Sequence, residues 1–88
     1  MINSKPVKAL SLSNLIAERL KLFFISHANS VPTNLYATVL DQIEEPLIVQ
    51  TLKFTRGNQI KAADILGVNR NTLRKKIKQF SINPELYK

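Results

Sequence analysis

The chain has 88 residues, with 13 lysines and arginines, 6 acidic residues, one histidine and no cysteine. This excludes disulfides and thiolate metal sites. It leaves room for one domain with a small core, so a second copy of the chain is the expected cover for surplus apolar surface. No long apolar stretch follows Met1, which argues against a signal peptide or a membrane span, and the lack of cysteine fits a reducing cytoplasm.

The net charge of +7 is unevenly placed. Lys5, Lys8, Arg19 and Lys21 cancel Glu18, Asp41, Glu44 and Glu45 over residues 1–52. Glu85 and Lys88 cancel in the tail. Residues 53–80 hold Lys53, Arg56, Lys61, Arg70, Arg74, Lys75, Lys76 and Lys78 against Asp64 alone. A local excess of this kind attracts a polyanion and makes its binding salt-dependent.

Residues 1–10 read as irregular, because Asn3, Ser4, Lys5 and Pro6 favour turns. A helix is predicted over 12–28, capped by Ser11 or Ser13. Leu12, Leu15, Ile16, Leu20, Phe23, Phe24 and His27 follow the spacing of one face, and Leu22 and Ile25 widen it. Such a helix needs cover on more than one side. A second helix is predicted over 34–54, with Thr33 as its N-cap. Tyr36, Val39, Leu40, Ile43, Leu47 and Phe54 share one face, with Leu52 near it. Pro46 either kinks this helix or restarts it. The kinked continuous form is preferred, since Glu44-Glu45 is not turn-like.

Thr55-Arg56-Gly57-Asn58 reads as a loop, with Gly57 at positive φ and Asn58 capping a helix over 59–66. Ala62 and Ala63 allow close helix approach, and Ile65 and Leu66 point to the core. Gly67 makes a turn, and Asn69 caps a last helix over 70–80 whose buried stripe is Leu73, Ile77 and Phe80. Residues 81–88 read as a loop. A short apolar helix, a Gly-Val turn and a basic second helix together make a helix-turn-helix, the element that enters the major groove of DNA.

With Leu73, Ile77 and Phe80 inward, Arg70, Asn71, Arg74, Lys75 and Lys78 point away. The N-terminal half of a recognition helix reaches base edges, and later cations reach phosphates. Arg70 is the best base reader, because arginine bonds guanine O6 and N7 with two parallel hydrogen bonds. Asn69 serves as a cap, as a base contact, or as both. Thr72 and Arg74 suit phosphate, and Lys75 suits bases or backbone. Lys76 and Lys78 suit phosphate, although Lys76 borders the buried stripe, where a lysine also snorkels. Asn58 caps its helix or donates to a phosphate at that helix end.

Nothing else in the chain suggests chemistry. His27 has no second histidine or cysteine with which to bind zinc. Glu44 and Glu45 point about 100° apart on a helix and form no acid/base pair. No metal, no cofactor and no enzymatic activity are expected.

The strings Leu35-Tyr36, Val39-Leu40, Glu45-Pro46-Leu47, Thr55-Arg56-Gly57-Asn58-Gln59, Asn69-Arg70 and Thr72-Leu73-Arg74-Lys75-Lys76 resemble the Fis family, bacterial factors for inversion stimulation. The Phe23-Phe24 helix corresponds as well. The resemblance implies an all-α fold of four helices in one domain. Residues 1–10 would form a flexible segment and 11–54 the dimerisation helices, two from each subunit intertwining as a homodimer core. Residues 55–80 would form the helix-turn-helix, and 81–88 the tail. It implies double-stranded DNA as partner, with contacts at Asn58, Asn69, Arg70, Thr72, Arg74, Lys75 and Lys76, supported by Lys78. Arg70 matches the family's guanine reader. The family's recognition helices sit too close together for straight DNA, so the DNA bends. The chain departs from the family at Ile60, where a phosphate-contacting threonine stands, and at Gln79, where a lysine stands. The family's β-hairpin arm touches a recombinase, and the short run before the first helix leaves no room for a full arm, so recombinase contact is not expected.

The expected function is a sequence-tolerant, DNA-bending homodimer in the cytoplasm and nucleoid. It would regulate transcription and organise the chromosome, with the transcription machinery as a further partner and no membrane association. The alternative is a freestanding relative of the C-terminal helix-turn-helix domain of sigma-54-dependent activators.

Overall fold

A computed structural model describes residues 11–30 and 32–88. The expectations for residues 1–10, an irregular segment and no full arm, lie outside them. The described elements are α1 (Leu12–Ser26), α2 (Leu35–Phe54), α3 (Gln59–Leu66), α4 (Arg70–Gln79) and a 3-10 turn, Pro84–Tyr87. No strand occurs among the described residues, so the fold is all-α, as expected. The chain divides between Thr33 and Asn34 into two compact units. α2 therefore belongs to the unit of the helix-turn-helix, and α1 is described by itself.

α1 ends two residues earlier than predicted. The Ser26 hydroxyl donates to the Phe23 carbonyl at 3.0 Å, and His27 Nδ1 lies 2.9 Å from the same oxygen. The His27 ring stacks on Phe23 at 4.2 Å, so these side chains wrap over the last turn. The expected serine cap does not form: Ser11 holds the N-cap position at φ 54 without a side-chain bond. None of the α1 side chains is buried.

α2 runs unbroken through Pro46 for 20 residues, the continuous form preferred from the sequence. Proline removes the bond to the Gln42 carbonyl. The turns after it are anchored by Ile48 and Leu52 in the core. Asn34, not Thr33, takes the N-cap position, at φ 65, a conformation asparagine tolerates better than threonine. The predicted apolar stripe is not the face that this unit buries. Tyr36 and Phe54 are each 81% exposed, and Leu40 and Leu47 are also exposed. The buried residues are Ile48, Thr51 and Leu52, roughly 100° further round the helix at 100° per residue. Ile48 lies near their centre, and Leu52 lies on the side away from the predicted stripe rather than near it. The Thr51 hydroxyl donates to the Leu47 carbonyl at 2.7 Å, which removes the penalty of burying it.

The core of this unit is Ile48, Leu52, Ala62, Ala63, Leu73 and Ile77, with Leu66, Phe80, Ile82 and Tyr87 packed around it. The alanine pair of α3 lets three helices meet over two short turns. Ile65 departs from its predicted inward position and is 57% exposed, because Ala62, Ala63 and Leu66 already occupy the inner face of an eight-residue helix.

α2, α3 and α4 close alike. Gly57 N–H donates to Leu52 O at 2.8 Å, Val68 N–H to Ala63 O at 3.1 Å, and Ile82 N–H to Ile77 O at 2.9 Å. Each reaches back five residues past one in the left-handed region: Arg56, Gly67 and Ser81. This is the Schellman closure, which satisfies the last helical carbonyls. The tail is not the loop expected of it. Asn83 Oδ1 accepts from Glu85 N–H at 3.1 Å, Pro84 starts the 3-10 turn, and Tyr87 packs on the core beneath Lys53, whose Nζ lies 5.8 Å from the ring centroid.

Candidate nucleic-acid interface

The interface begins with two asparagine caps. Asn58 Oδ1 accepts from Lys61 N–H at 3.1 Å, and Asn69 Oδ1 accepts from Asn71 N–H at 2.7 Å. Both side-chain oxygens are thus committed to starting α3 and α4. What remains on each amide is its NH2, a donor suited to phosphate oxygens or to base acceptors. Both roles read from the sequence for Asn69 are compatible with this geometry.

Gly67, at φ 74, turns the chain so that α4 leaves α3 and lays Leu73 and Ile77 on the core. That burial fixes the rotation of α4 and hence the direction of every cation on it. Arg70, Asn71, Arg74, Lys75 and Lys78 are all exposed. Among the described residues the only ion pairs are Lys76–Glu44 and Lys88–Glu85. Arg70, Arg74, Lys75 and Lys78 therefore present unneutralised charge on one short helix, with only Lys76 paired to an acid. Together they form a surface for a polyanion.

Two predicted contacts also border α2. Thr72 and Lys76 line a cleft between α2 and α4, shared with Glu44, Leu47, Ile48 and Val68. Within it Lys76 Nζ meets Glu44 Oε1 at 2.9 Å, with both side chains about one-third exposed. The aliphatic stem of Lys76 borders the core, the snorkelling read from the sequence, but its ammonium ends on a carboxylate rather than in water. Glu44 was missed as a site residue. The available signal was its place four residues before Ile48 and eight before Leu52, on the face that packs against α4. Asn58 stands at the start of α3, remote in sequence from the α4 cations.

No group of described residues could hold a metal ion, and no described helix is long and apolar enough to cross a membrane.

The family profile described as bacterial regulatory protein, Fis family, matches residues 39–80, from the second turn of α2 to the residue that caps the end of α4. The DNA-binding protein Fis of Buchnera aphidicola subsp. Acyrthosiphon pisum (strain 5A) is 44% identical over 73 residues, covering 82% of this chain and 74% of that protein. The chain belongs to the Fis family. Fis of Proteus mirabilis (strain HI4320) is 39% identical over 72 residues with the same coverage. The chain is also similar to larger proteins. The DNA-binding transcriptional regulator NtrC of Rhizobium meliloti (strain 1021) is 49% identical over 76 residues, and that of Azospirillum brasilense is 53% identical over 72. The matches cover 85% and 81% of this chain but only 16% and 15% of those regulators. The helix-turn-helix is thus a module that occurs both in Fis proteins and within much longer chains.

Proposed function

We propose that this Fis-family chain is a sequence-tolerant DNA-binding and DNA-bending homodimer that regulates transcription and organises the nucleoid in the cytoplasm. One observation carries the reading: four unneutralised cations stand on a helix whose opposite face is locked into a helix-turn-helix core. α4 enters the major groove. Arg70 reads guanine, and Asn69 offers its free amide group beside it. Arg74, Lys75 and Lys78 hold phosphates, with Thr72 at the edge of the groove. Asn58 donates to the backbone from the start of α3. Lys76 is set apart by its bond to Glu44. The activity is binding, not catalysis.

The homodimer rests on the second apolar face of α2. Tyr36, Leu40, Leu47 and Phe54 form an exposed stripe too apolar to be left to water, and a second copy is the partner that supplies a matching face. Two recognition helices on one dimer then engage successive major grooves, and the DNA bends to meet them. The experiment is a gel shift on circularly permuted AT-rich duplexes. Mobility that varies with site position shows bending. Binding without such variation removes bending and leaves the contact surface.

The identity to NtrC favours a second reading, in which the same module serves as the DNA-binding part of a transcriptional regulator without a bending role. The permutation assay separates the two.

A further inference from the structure

We propose that Glu44 is an affinity-setting residue: it holds Lys76 off the DNA phosphates and so limits how tightly each copy grips DNA of any sequence. The inference rests on the DNA-binding reading above and extends it to a residue outside the recognition helix.

The argument starts from the geometry of α4. Leu73 and Ile77 define its buried face, and Asn71, Lys75 and Lys78 lie opposite. Lys76 is turned toward α2, where its Nζ donates to Glu44 Oε1 at 2.9 Å across 32 residues of sequence. It is the one cation of α4 with an acidic partner among the described residues. For Lys76 to reach a phosphate it must give up this bond, and Glu44, left beside it, would then repel the same phosphate. The carboxylate thus occupies the place that a phosphate oxygen would take.

The chemistry of Glu44 points the same way. Among the described residues its side chain has no hydrogen-bond partner other than Lys76, so there the carboxylate serves no cap or turn. The pair is partly exposed, where an ion pair contributes little to stability. Both groups remain close enough to solvent for the ammonium to reach a phosphate once the carboxylate is removed. Glu45, its neighbour in sequence, is exposed, has no cation bound among the described residues, and carries the same charge. It serves as the internal control.

The test is the salt dependence of binding by the full chain, measured by fluorescence anisotropy on an AT-rich duplex and on a mixed-sequence duplex. The variants are Glu44→Gln, Glu45→Gln, Lys76→Met and the double variant Glu44→Gln/Lys76→Met. Glu44→Gln is expected to bind both duplexes more tightly, with a log–log slope steeper by about 0.9 per copy, the signature of one added phosphate contact. Glu45→Gln is expected to leave the slope unchanged. Lys76→Met alone is expected to change the slope little, and in the Glu44→Gln background it is expected to abolish the gain. The proposal is overturned if Glu45→Gln matches Glu44→Gln, or if the gain persists without Lys76. A loss of slope in Lys76→Met equal to that in Lys78→Ala also overturns it. Should Glu44→Gln melt below the assay temperature, Lys76→Met alone decides by the same criterion. Wild-type chain that binds neither duplex refutes the DNA reading itself. Binding with an unchanged slope in Glu44→Gln refutes only the role of Glu44.

Discussion

Gly57 and Pro84 touch through their backbones: a Cβ on Gly57 would lie 2.6 Å from the Pro84 carbonyl oxygen. The loop that leads into α3 and the turn that follows α4 are thereby pressed together at a point where no side chain fits. The two turns flank the helix-turn-helix in sequence, and their contact closes it into a loop of structure. Gly57 is also held at φ 80, so the position demands glycine on two grounds.

The two glycines of the chain separate these grounds. Gly67 stands at φ 74 with nothing within 4 Å of its Cβ position. Gly67→Ala should therefore cost only the left-handed conformation, about 1–2 kcal/mol. Gly57→Ala should cost distinctly more, since the clash is with backbone that has no rotamer to change. Thermal unfolding of the two variants checks the order, and equal losses would show that the Pro84 contact gives way freely.

Leu52 is fully buried at the meeting of α2, α3 and α4. Leu52→Ala should destabilise by about 2–5 kcal/mol. Ile65→Ala, on the outside of α3, should stay within about 0.5 kcal/mol of wild type. Urea unfolding followed by circular dichroism measures both. A large loss at Ile65 would mean that another surface covers it.

Tyr36→Glu tests the proposed dimer. At a site 81% exposed in one copy, such a change should be nearly neutral for a monomer. In a dimer it should lower the melting temperature and make it depend more steeply on protein concentration. Light scattering that shows a folded monomer for the wild-type chain at micromolar concentration would refute the dimer directly.

Arg70→Ala should lower affinity for guanine-containing sites by about 1–3 kcal/mol and flatten base preference. Lys78→Ala should weaken all sequences alike and reduce the salt slope by about one. Indistinguishable behaviour of the two variants would contradict the division into base reading and phosphate holding.

The helix-turn-helix was legible because its signals are local. Gly57, Asn58, Gly67 and Asn69 mark ends that only a few residue types can form, and Leu73 and Ile77 are spaced for one turn. The buried face of α2 was misread because that helix carries two apolar stripes, and periodicity cannot say which of them packs within the unit. Tyr36 and Phe54 are larger than Ile48 and drew attention to the wrong one. Thr51 was invisible as a core residue, since its hydroxyl is satisfied by its own helix. The tail failed for another reason. Asn83-Pro84 is a capped turn as much as a loop, and only the close approach to Gly57 decides the matter. The Glu44–Lys76 bond joins residues 32 apart, and no local pattern announces it.

The two stripes of α2 have an evolutionary consequence. Ile48, Thr51 and Leu52 answer to the helices that follow, and Tyr36, Leu40, Leu47 and Phe54 to whatever covers the other side. Only the solvent-facing strip between them, with Thr38, Gln42 and Glu45 among its members, is released from both demands. Sequence drift in this helix is therefore confined to that strip, and a charge or size change elsewhere has to be matched by a second change in one of two different neighbours.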